Sequence, residues 1–325
     1  MEQIFKTLTQ LIKDNDNIFI MTHKNPDFDG MGSAIGLQQI INSFKKNSYI
    51  VLNSNEKNKS LDKSYNLLKE NELYFNYIYK TKAIDNIKKN TLLIILDTHK
   101  KVMTEAPELI SKTNNVVIID HHIKSKDYIK DATLTYINAN LSSTVEFITK
   151  YIKYLNKVID PLIATFMLVG LEIDTNNFRL KTTKDTYEAA SFLSELGADN
   201  VLKQELLQEN KEDYVKRQKL IEKSYMINDN MALCIADNEL YESKDLAYIA
   251  EQLLQFENVA ASFVIGHLTK DTIGISARSL GNINVEEIMA KLGGGGHLTE
   301  AATQIKDSNL KTVEKQLLNV IGGTK

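Results

Sequence analysis

The sequence predicts an α/β protein with two domains, on the basis of three observations. Three apolar runs, 17–23, 91–99 and 114–122, each end in polar residues. Continuous apolar runs are typical of strands that are covered on both faces of a parallel sheet. A highly charged stretch with helical character, 200–227, comes next, and new strand-like runs follow it. We therefore expect two sheets joined by a helical connector.

The predicted boundaries follow from this pattern. A catalytic domain is expected over 1–199, a helical linker over 200–227 and a smaller α/β domain over 228–325. A chain of 325 residues is long enough for each domain to bury a core of its own.

The first domain is expected to begin with an amphipathic helix over 1–16, which lacks the apolar centre of a signal peptide. The strand at 17–23 breaks into "KNPDFDGMGS", whose proline and glycines indicate a loop, before the helical pattern of "AIGLQQIINSF". The later segments between and after the strands have helical periodicity. The predicted helices are 142–155, 160–175 and 183–199.

The second domain is expected to contain three strands, 231–237, 261–268 and 272–279, with a helix over 245–256. It closes with "NVEEIMAKLGGGGHLTEAATQI", in which a helical pattern leads into four consecutive glycines.

Composition excludes several classes of protein. The net charge of −3 gives no basic field for long nucleic acid. Cys234 is the only cysteine, which excludes an internal disulfide and a multi-cysteine metal site, and its apolar surroundings indicate a buried, inert thiol. No run approaches 18 apolar residues, so we expect a cytoplasmic protein that has no membrane partner.

Acids and histidines cluster where the predicted strands of the first domain end. The groups are His23 with Asp27 and Asp29, then Asp97, and then Asp120, His121 and His122, while Asp174 follows a further apolar segment. Each acid alone is adequately explained as a turn former or helix cap. However, ligands of parallel sheets bind at the carboxyl ends of the strands, where these loops converge.

The combination gives four carboxylates and two imidazoles for one pocket, and without cations the negative charges of the carboxylates would repel one another. Mixed nitrogen and oxygen ligands without thiolate suit Mn²⁺ or a similar divalent ion. A carboxylate shared by two ions is the arrangement used for phosphoryl-ester hydrolysis.

Four ordered motifs resemble those of the DHH phosphoesterase family: "HKNPDFDGMGSA", "ILDTH", "IDHH" and "GLEIDTNNF". The sequences "SARS" and "GGGGH" resemble its DHH-associated C-terminal domain. The similarity covers nearly the whole chain and is closest to enzymes that hydrolyse cyclic di-AMP, specifically to the catalytic module of the membrane-bound type. The nanoRNases that also act on pAp are the other similar group.

The resemblance implies two Mn²⁺ ions per active site, with Mg²⁺ or Co²⁺ as substitutes. His23, Asp27 and Asp97 would hold one ion, and Asp97 would bridge to the second. The implied ligands of the second ion are Asp29, Asp97, His121 and Asp174. Asp120 would orient a ligand histidine, and His122 would face the scissile phosphate.

In the second domain, backbone N–H groups of the glycine run can approach a phosphate closely because no Cβ atoms intervene. The predicted substrate-binding residues are Gly294, Gly295, Gly296 and His297, together with Arg278 as a forked phosphate clamp. His99 is interpreted either as lining the site or as a packed loop residue, and His267 as structural.

The resulting hypothesis is a Mn²⁺-dependent phosphodiesterase that converts cyclic di-AMP to pApA and then to AMP. The alternative is a nanoRNase and pAp phosphatase that acts on linear substrates of two to four nucleotides. A sensor without catalysis is disfavoured because every metal-motif position is filled. A homodimer is suggested by the resemblance and by the apolar helix over 162–171, which could instead belong to the core.

Overall fold

The structure is a computed structural model that describes residues 1–53, 66–67 and 76–322. The chain divides into two compact units, Met1–Gln208 and Glu209–Lys325. Each unit contains one six-stranded sheet. The predicted α/β fold class with two sheets is therefore confirmed.

Unit 1 contains three strands that the apolar runs predict and three that the sequence analysis did not identify (β2, β3 and β6). The strands are β1 (Asn17–Met21), β2 (Asn47–Leu52), β3 (Tyr77–Tyr79), β4 (Thr91–Leu96), β5 (Asn115–Asp120) and β6 (Leu134–Ile137). The helices are α1 (Glu2–Asp14), α2 (Phe28–Ser43), α3 (Lys80–Asp85), α4 (Pro107–Ile110), α5 (Thr144–Tyr154), α6 (Pro161–Asp174), α7 (Lys184–Glu195) and α8 (Asn200–Leu206).

The sheet of unit 1 has the order β3-β2-β1-β4-β5-β6, and all neighbouring strands are parallel. The chain runs outward from β1 to β3 and then returns to β4 on the other side of β1. Loops that leave β1 and β4 therefore diverge, and this switch point opens a crevice at the carboxyl ends of the strands.

Both faces of this sheet are buried, as the continuous apolar runs predict. On β4, Leu92 and Ile94 pack in one core with α1, α2, α5 and α6, while Leu93 and Ile95 pack in a second core on the opposite face. The apolar helix α6 lies in the first core, so its composition reflects burial within this unit and gives no support to a dimer.

Helix α6 crosses the start of α2 at very short range. A Cβ atom at Gly170 would lie 2.6 Å from the Phe28 carbonyl oxygen and 2.9 Å from Asp29 Cα, so only glycine permits this approach. Asp174 follows one turn later on α6. The close crossing therefore brings Asp174 towards Asp29.

Unit 2 is built on a mixed sheet of order β11-β12-β10-β9-β8-β7, in which β8 and β9 are parallel and the other pairs antiparallel. Its strands are β7 (Tyr225–Asn228), β8 (Met231–Leu240), β9 (Ala261–Thr269), β10 (Thr272–Ser279), β11 (Gly295–Gly296) and β12 (Glu300–Lys306). Its helices are α9 (Lys211–Glu222), α10 (Ser243–Leu253), α11 (Val285–Ala290) and α12 (Leu310–Gly322). The segment 200–227, predicted as a linker, contains α8, α9 and the first residues of β7.

Cys234 lies in the core of unit 2, where burial raises the pKa of its thiol to about 12. This agrees with the interpretation of an inert thiol. None of the helices in the described parts of the chain is long and apolar enough to cross a bilayer.

Candidate metal centre

Asp97 occupies the centre of a cluster at the carboxyl ends of β1, β4 and β5. Its Oδ2 lies 3.4 Å from His23 Nε2, and its Oδ1 lies 3.3 Å from His121 Nε2. The residue is 2% exposed and has φ +61°, a left-handed conformation that costs a residue with a Cβ atom about 1–2 kcal/mol. Strain of this kind concentrates at functional sites.

The first group of the cluster is His23, Asp27 and Asp97, whose potential ligand atoms lie within 4.8 Å of one another. These are the three residues predicted for one metal. Asp27 also caps α2, because its Oδ1 accepts the N–H groups of Asp29 and Gly30 at 3.0 Å. The cap fixes the position of this carboxylate relative to the first turn of the helix.

The second group is Asp29, His121 and Asp174, which satisfies the same distance limit. His121 Nε2 lies 3.1 Å from Asp174 Oδ2 and 3.9 Å from Asp29 Oδ2. With Asp97 beside His121, the structure brings together all four residues predicted for the second metal.

Asp29 is held by the N-terminus of α5, which the sequence analysis did not connect with the site. Its carboxylate accepts the backbone N–H groups of Thr144 and Val145, each at 2.8 Å. The Thr144 hydroxyl also donates to Asp97 Oδ1 at 3.1 Å. A signal was present in "SSTVE", since Ser143 followed by Glu146 is a helix-start pattern and helix N-termini stabilise anions.

The buried acids and histidines of the two groups strongly shift one another's pKa values. Burial and the neighbouring Asp97 carboxylate raise the pKa of Asp29 to about 7, and burial and Asp29 raise the pKa of Asp174 well above its ordinary value. Burial alone would lower the pKa of each histidine, but the carboxylates outweigh it. Asp27 and Asp97 raise the pKa of His23 to about 11, and Asp97 and Asp174 raise that of His121 to about 10.

Asp97 responds in the opposite direction. Its burial favours the neutral acid, but hydrogen bonds from His121 and His23 outweigh that effect and hold its pKa far below the ordinary value. Without a metal, the cluster is therefore neutralised by protons on its histidines and on some of its acids. A divalent cation could take the place of these protons, because the donors are carboxylate oxygens and imidazole nitrogens of the kind that bind such ions.

Asp120 differs in detail from the sequence prediction. It was expected to orient the ligand histidine, His121. Its Oδ1 instead accepts the backbone N–H of His122 at 3.0 Å and its ring Nδ1–H at 2.7 Å. Asp120 thus supports His122, which lies two residues further along the chain.

His99 contacts the other carboxylate oxygen of Asp120 and is not part of either ligand group. The ring is 2% exposed, its Nδ1–H donates to Asp120 Oδ2, and its Nε2 accepts the backbone N–H of Ser125 at 3.0 Å. Of the two interpretations left open for His99, the structure supports the packed loop residue.

The glycine run of unit 2 forms a turn that leads into the β11–β12 pair. A Cβ at Gly294 would lie 2.2 Å from the Ala302 carbonyl oxygen, and one at Gly296 would lie 2.3 Å from that of Glu300. These two glycines are therefore required by packing. A Cβ at Gly295 would meet nothing within 4 Å, so the fold of this unit does not explain glycine at that position.

The other predicted recognition residues, His297 and Arg278, lie in the turn before β12 and on β10. The backbone N–H of His297 donates to Glu300 in the turn before β12. Arg278 is half-buried on β10, where its Nη1 donates to the Ala277 carbonyl at 3.0 Å. Its side chain lines a cavity of about 320 Å³ together with Lys244, Ser276 and Gln304.

Comparison with known proteins agrees with this arrangement. Residues 17–171 match the sequence model of the DHH family, N-terminal domain, and residues 230–323 match that of the DHHA1 domain. The chain belongs to the DHH family. Its DHH part contains five of the six predicted metal-site residues, and Asp174 follows three positions after that part ends.

Two relatives of this DHH protein are 38% identical to it over 322 residues, which are 98% of this chain and 49% of each relative. They are cyclic-di-AMP phosphodiesterase PdeA of Listeria monocytogenes and cyclic-di-AMP phosphodiesterase GdpP of Geobacillus thermodenitrificans. The chain thus spans about half the length of these relatives. An exopolyphosphatase-related protein from Bacteroides fragilis shares the fold, with a TM-score of 0.84 at 21% identity, covering 98% of this chain and 96% of that one.

Proposed function

We propose that this chain is a metal-dependent phosphodiesterase that hydrolyses cyclic di-AMP to pApA and then to AMP. The observation that carries the proposal is the position of Asp97, whose two oxygens face His23 on one side and His121 on the other. A carboxylate in that position can bridge two cations. The two relatives that are 38% identical support cyclic di-AMP as the substrate.

The two groups described above are the proposed ligands of two Mn²⁺ ions, for which Mg²⁺ or Co²⁺ could substitute. Bound divalent cations supply Lewis-acid activation of water and of the phosphate. Asp29 and Asp97 contribute fixed negative charge, which the α5 N-terminus and the Thr144 hydroxyl hold in place. Little rearrangement is then needed when substrate arrives.

His122 is proposed to act on the scissile phosphate. Because Asp120 binds its Nδ1–H, Nε2 is the nitrogen left to face a phosphate oxygen, and it donates a hydrogen bond or a proton when the ring carries both protons. The side chain is 46% exposed, which leaves it accessible to a ligand. Positioned donors of this kind typically accelerate a reaction by about 10²–10⁴-fold.

In unit 2, Arg278 is proposed to bind the phosphate that is not cleaved, and the turn at Gly294, Gly295, Gly296 and His297 to approach the nucleotide. The unexplained glycine at position 295 supports this assignment, because close approach of a ligand to the backbone requires the absence of a Cβ.

Product analysis with Mn²⁺ tests the proposal. Cyclic di-AMP, pApA and pAp are supplied separately at low concentration, and the products are separated over time. We expect cyclic di-AMP to be consumed with pApA as the first product and AMP following. Negligible turnover of the cyclic form beside rapid cleavage of pApA or pAp would overturn the proposal in favour of the linear-substrate alternative.

A further inference from the structure

Glu105 is a buried acid outside the two ligand groups, and it contacts the loop that holds His23 and Asp27 of the first group. It follows the 3₁₀ turn Lys101–Met103 that comes after β4, and it is 6% exposed. A carboxylate buried to this degree requires hydrogen-bond donors, because its charge is costly away from water. The N–H groups that donate to Glu105 therefore indicate its structural role.

The segment around Glu105 pairs with the loop that begins at His23. The Lys24 N–H donates to the Met103 carbonyl at 2.7 Å, and the Glu105 N–H donates to the Thr22 carbonyl at 3.1 Å. Between these two bonds, His23 and Thr104 form an antiparallel bridge. The loop that holds His23 and Asp27 is therefore attached along its first residues to the segment that contains Glu105.

The carboxylate of Glu105 adds two contacts at the end of this pairing. Its Oε1 accepts the N–H of Asn25 at 3.1 Å, and its Oε2 accepts the N–H of Asn53 at 2.9 Å. Asn25 has φ +52°, which is uncommon for a residue other than glycine and so needs support from its surroundings. Glu105 thus connects the His23 loop to the end of β2.

The Asn25 N–H belongs to the same peptide unit as the Lys24 carbonyl, and that carbonyl is bonded to His23. The Nδ1–H of the His23 ring donates to the Lys24 oxygen at 2.9 Å, which leaves Nε2 directed at Asp27 and Asp97. Since a peptide unit is planar and rigid, fixing its N–H also fixes the direction of its carbonyl.

We propose that Glu105 is a positioning residue that fixes the ring of His23 through the peptide unit between Lys24 and Asn25. Ligand histidines commonly donate their second N–H to a carboxylate or a backbone carbonyl, which sets the tautomer and the ring orientation. Here the carboxylate acts one step further away, with the peptide unit between it and the imidazole. The inference rests on His23 as a metal ligand, as in the proposed function, and is independent of which nucleotide is cleaved.

The test uses the full chain without nucleotide, with Glu105→Gln as the variant and Glu108→Gln as the matched control. Glu108 lies three residues on, in α4, where it pairs with Lys80 at 2.7 Å on the surface. Titration with Mn²⁺ alone is expected to show affinity reduced by about 10–100-fold in Glu105→Gln, the range for partners that orient a ligand, and unchanged in Glu108→Gln. Wild-type affinity in a folded Glu105→Gln protein overturns the proposal.

A spectroscopic measurement separates positioning from general loss of stability. In Zn²⁺-loaded protein labelled with ¹⁵N, the His23 Nδ1–H is expected to give a slowly exchanging signal that is lost or broadened in Glu105→Gln. If the variant binds metal weakly while this signal is retained, Glu105 acts only on stability and the proposal is wrong.

The wild-type protein provides a check that does not depend on folding of a variant. Hydrogen exchange at the Asn25 amide is expected to be strongly protected, since that N–H is bonded to Glu105. Exchange at the rate of an unstructured peptide would overturn the proposal. Failure of the nucleotide assay with these results intact would overturn the proposed function alone.

Discussion

Different structural features indicate the candidate metal centre of unit 1 and the candidate recognition turn at the glycines of unit 2. In unit 1, Asp97 is strained and buried, and Asp29, Asp174 and the two histidines shift one another's pKa values. In unit 2, a Cβ atom added at Gly295 would meet no neighbour within 4 Å.

The difference follows from what each region is proposed to bind. Metal ligands must converge on a point, so they constrain one another within a single unit even without the ion. A surface that recognises a larger ligand has no such mutual constraint. The proposed role of such a surface is indicated only where a residue type, such as glycine at 295, is not required by the surrounding fold.

The largest effect is expected from a substitution in the middle of the ligand cluster of unit 1. Asp97→Asn replaces one of the two oxygens that face His23 and His121 with an amide, which weakens both ligand groups together. We expect turnover of cyclic di-AMP to fall by more than the roughly 10²–10⁴-fold typical of losing one proton donor. The measurement is kcat with saturating Mn²⁺, and the exposed Asp131→Asn is the control. Activity within tenfold of wild type would contradict the bridging role.

A smaller effect is expected from substitution of His122, and it tests whether this residue acts in the chemical step or in metal binding. His122→Ala should lower kcat by about 10²–10⁴-fold, as for loss of a positioned donor, while Mn²⁺ affinity stays close to wild type. His267→Ala, on β9 of unit 2, serves as the control. Because His122 also lies near Asp97 and His121, a parallel loss of Mn²⁺ affinity would instead identify it as a ligand.

The protons held by the metal-free centre predict how metal affinity depends on pH. The pKa values of His23 and His121, about 11 and about 10, lie above the ordinary value near 6.5, so both rings are protonated at neutral pH. Each must lose its proton to bind a metal, and any proton held by Asp29 or Asp174 must leave as well, so at least two protons should leave per centre filled. Calorimetry in buffers of different ionisation enthalpy measures this number.

The same pKa values set the sign of the stability change. A raised histidine pKa stabilises the metal-free fold at and below pH 6.5, and this contribution is lost as the pH rises towards 10. The melting temperature of the metal-free protein should therefore fall over that range, and Mn²⁺ should reduce the fall. Fewer than one proton released, with no such fall, would mean that the centre is not neutralised by its histidines.

In unit 2 the expected effects fall on substrate affinity. Arg278→Ala removes a guanidinium that could form charge-assisted hydrogen bonds to phosphate, each worth about 1.5–3 kcal/mol. KM should rise by about 10–100-fold while kcat and Mn²⁺ affinity change little. Arg217→Ala is a contrasting variant, because Arg217 is 9% exposed and pairs with Glu209 and Asp245, so that change should lower stability instead. An unchanged KM in Arg278→Ala would exclude the clamp.

The smallest and most selective effect compares two neighbouring glycines. Gly294→Ala places a Cβ 2.2 Å from the Ala302 carbonyl oxygen and should lower the melting temperature. Gly295→Ala meets no neighbour within 4 Å, so it should leave the melting temperature unchanged and raise KM several-fold if a nucleotide approaches this backbone. Equal KM values for Gly295→Ala and wild type would remove the main support for recognition by this turn.

Much of the candidate site could be predicted from the sequence because its ligands follow strands. His23, Asp97 and His121 each come just after an apolar run, and parallel strands place their carboxyl ends at one edge of the sheet. The sequence also determined the two-sheet class, since fully apolar runs require burial on both faces. Strands β2, β3 and β6 escaped prediction because their burial patterns are mixed or short.

Only the tertiary structure decided how these residues divide their roles. Asp29 is held by amides 115 and 116 positions away along the chain, and Glu105 reaches Asn25 across 80 positions. Asp120 supports His122, because its Oδ1 accepts both the backbone N–H and the ring Nδ1–H of that residue. Local sequence determines which residue types stand at the ends of strands, but hydrogen bonds between distant segments depend on packing, and packing is set by the whole fold.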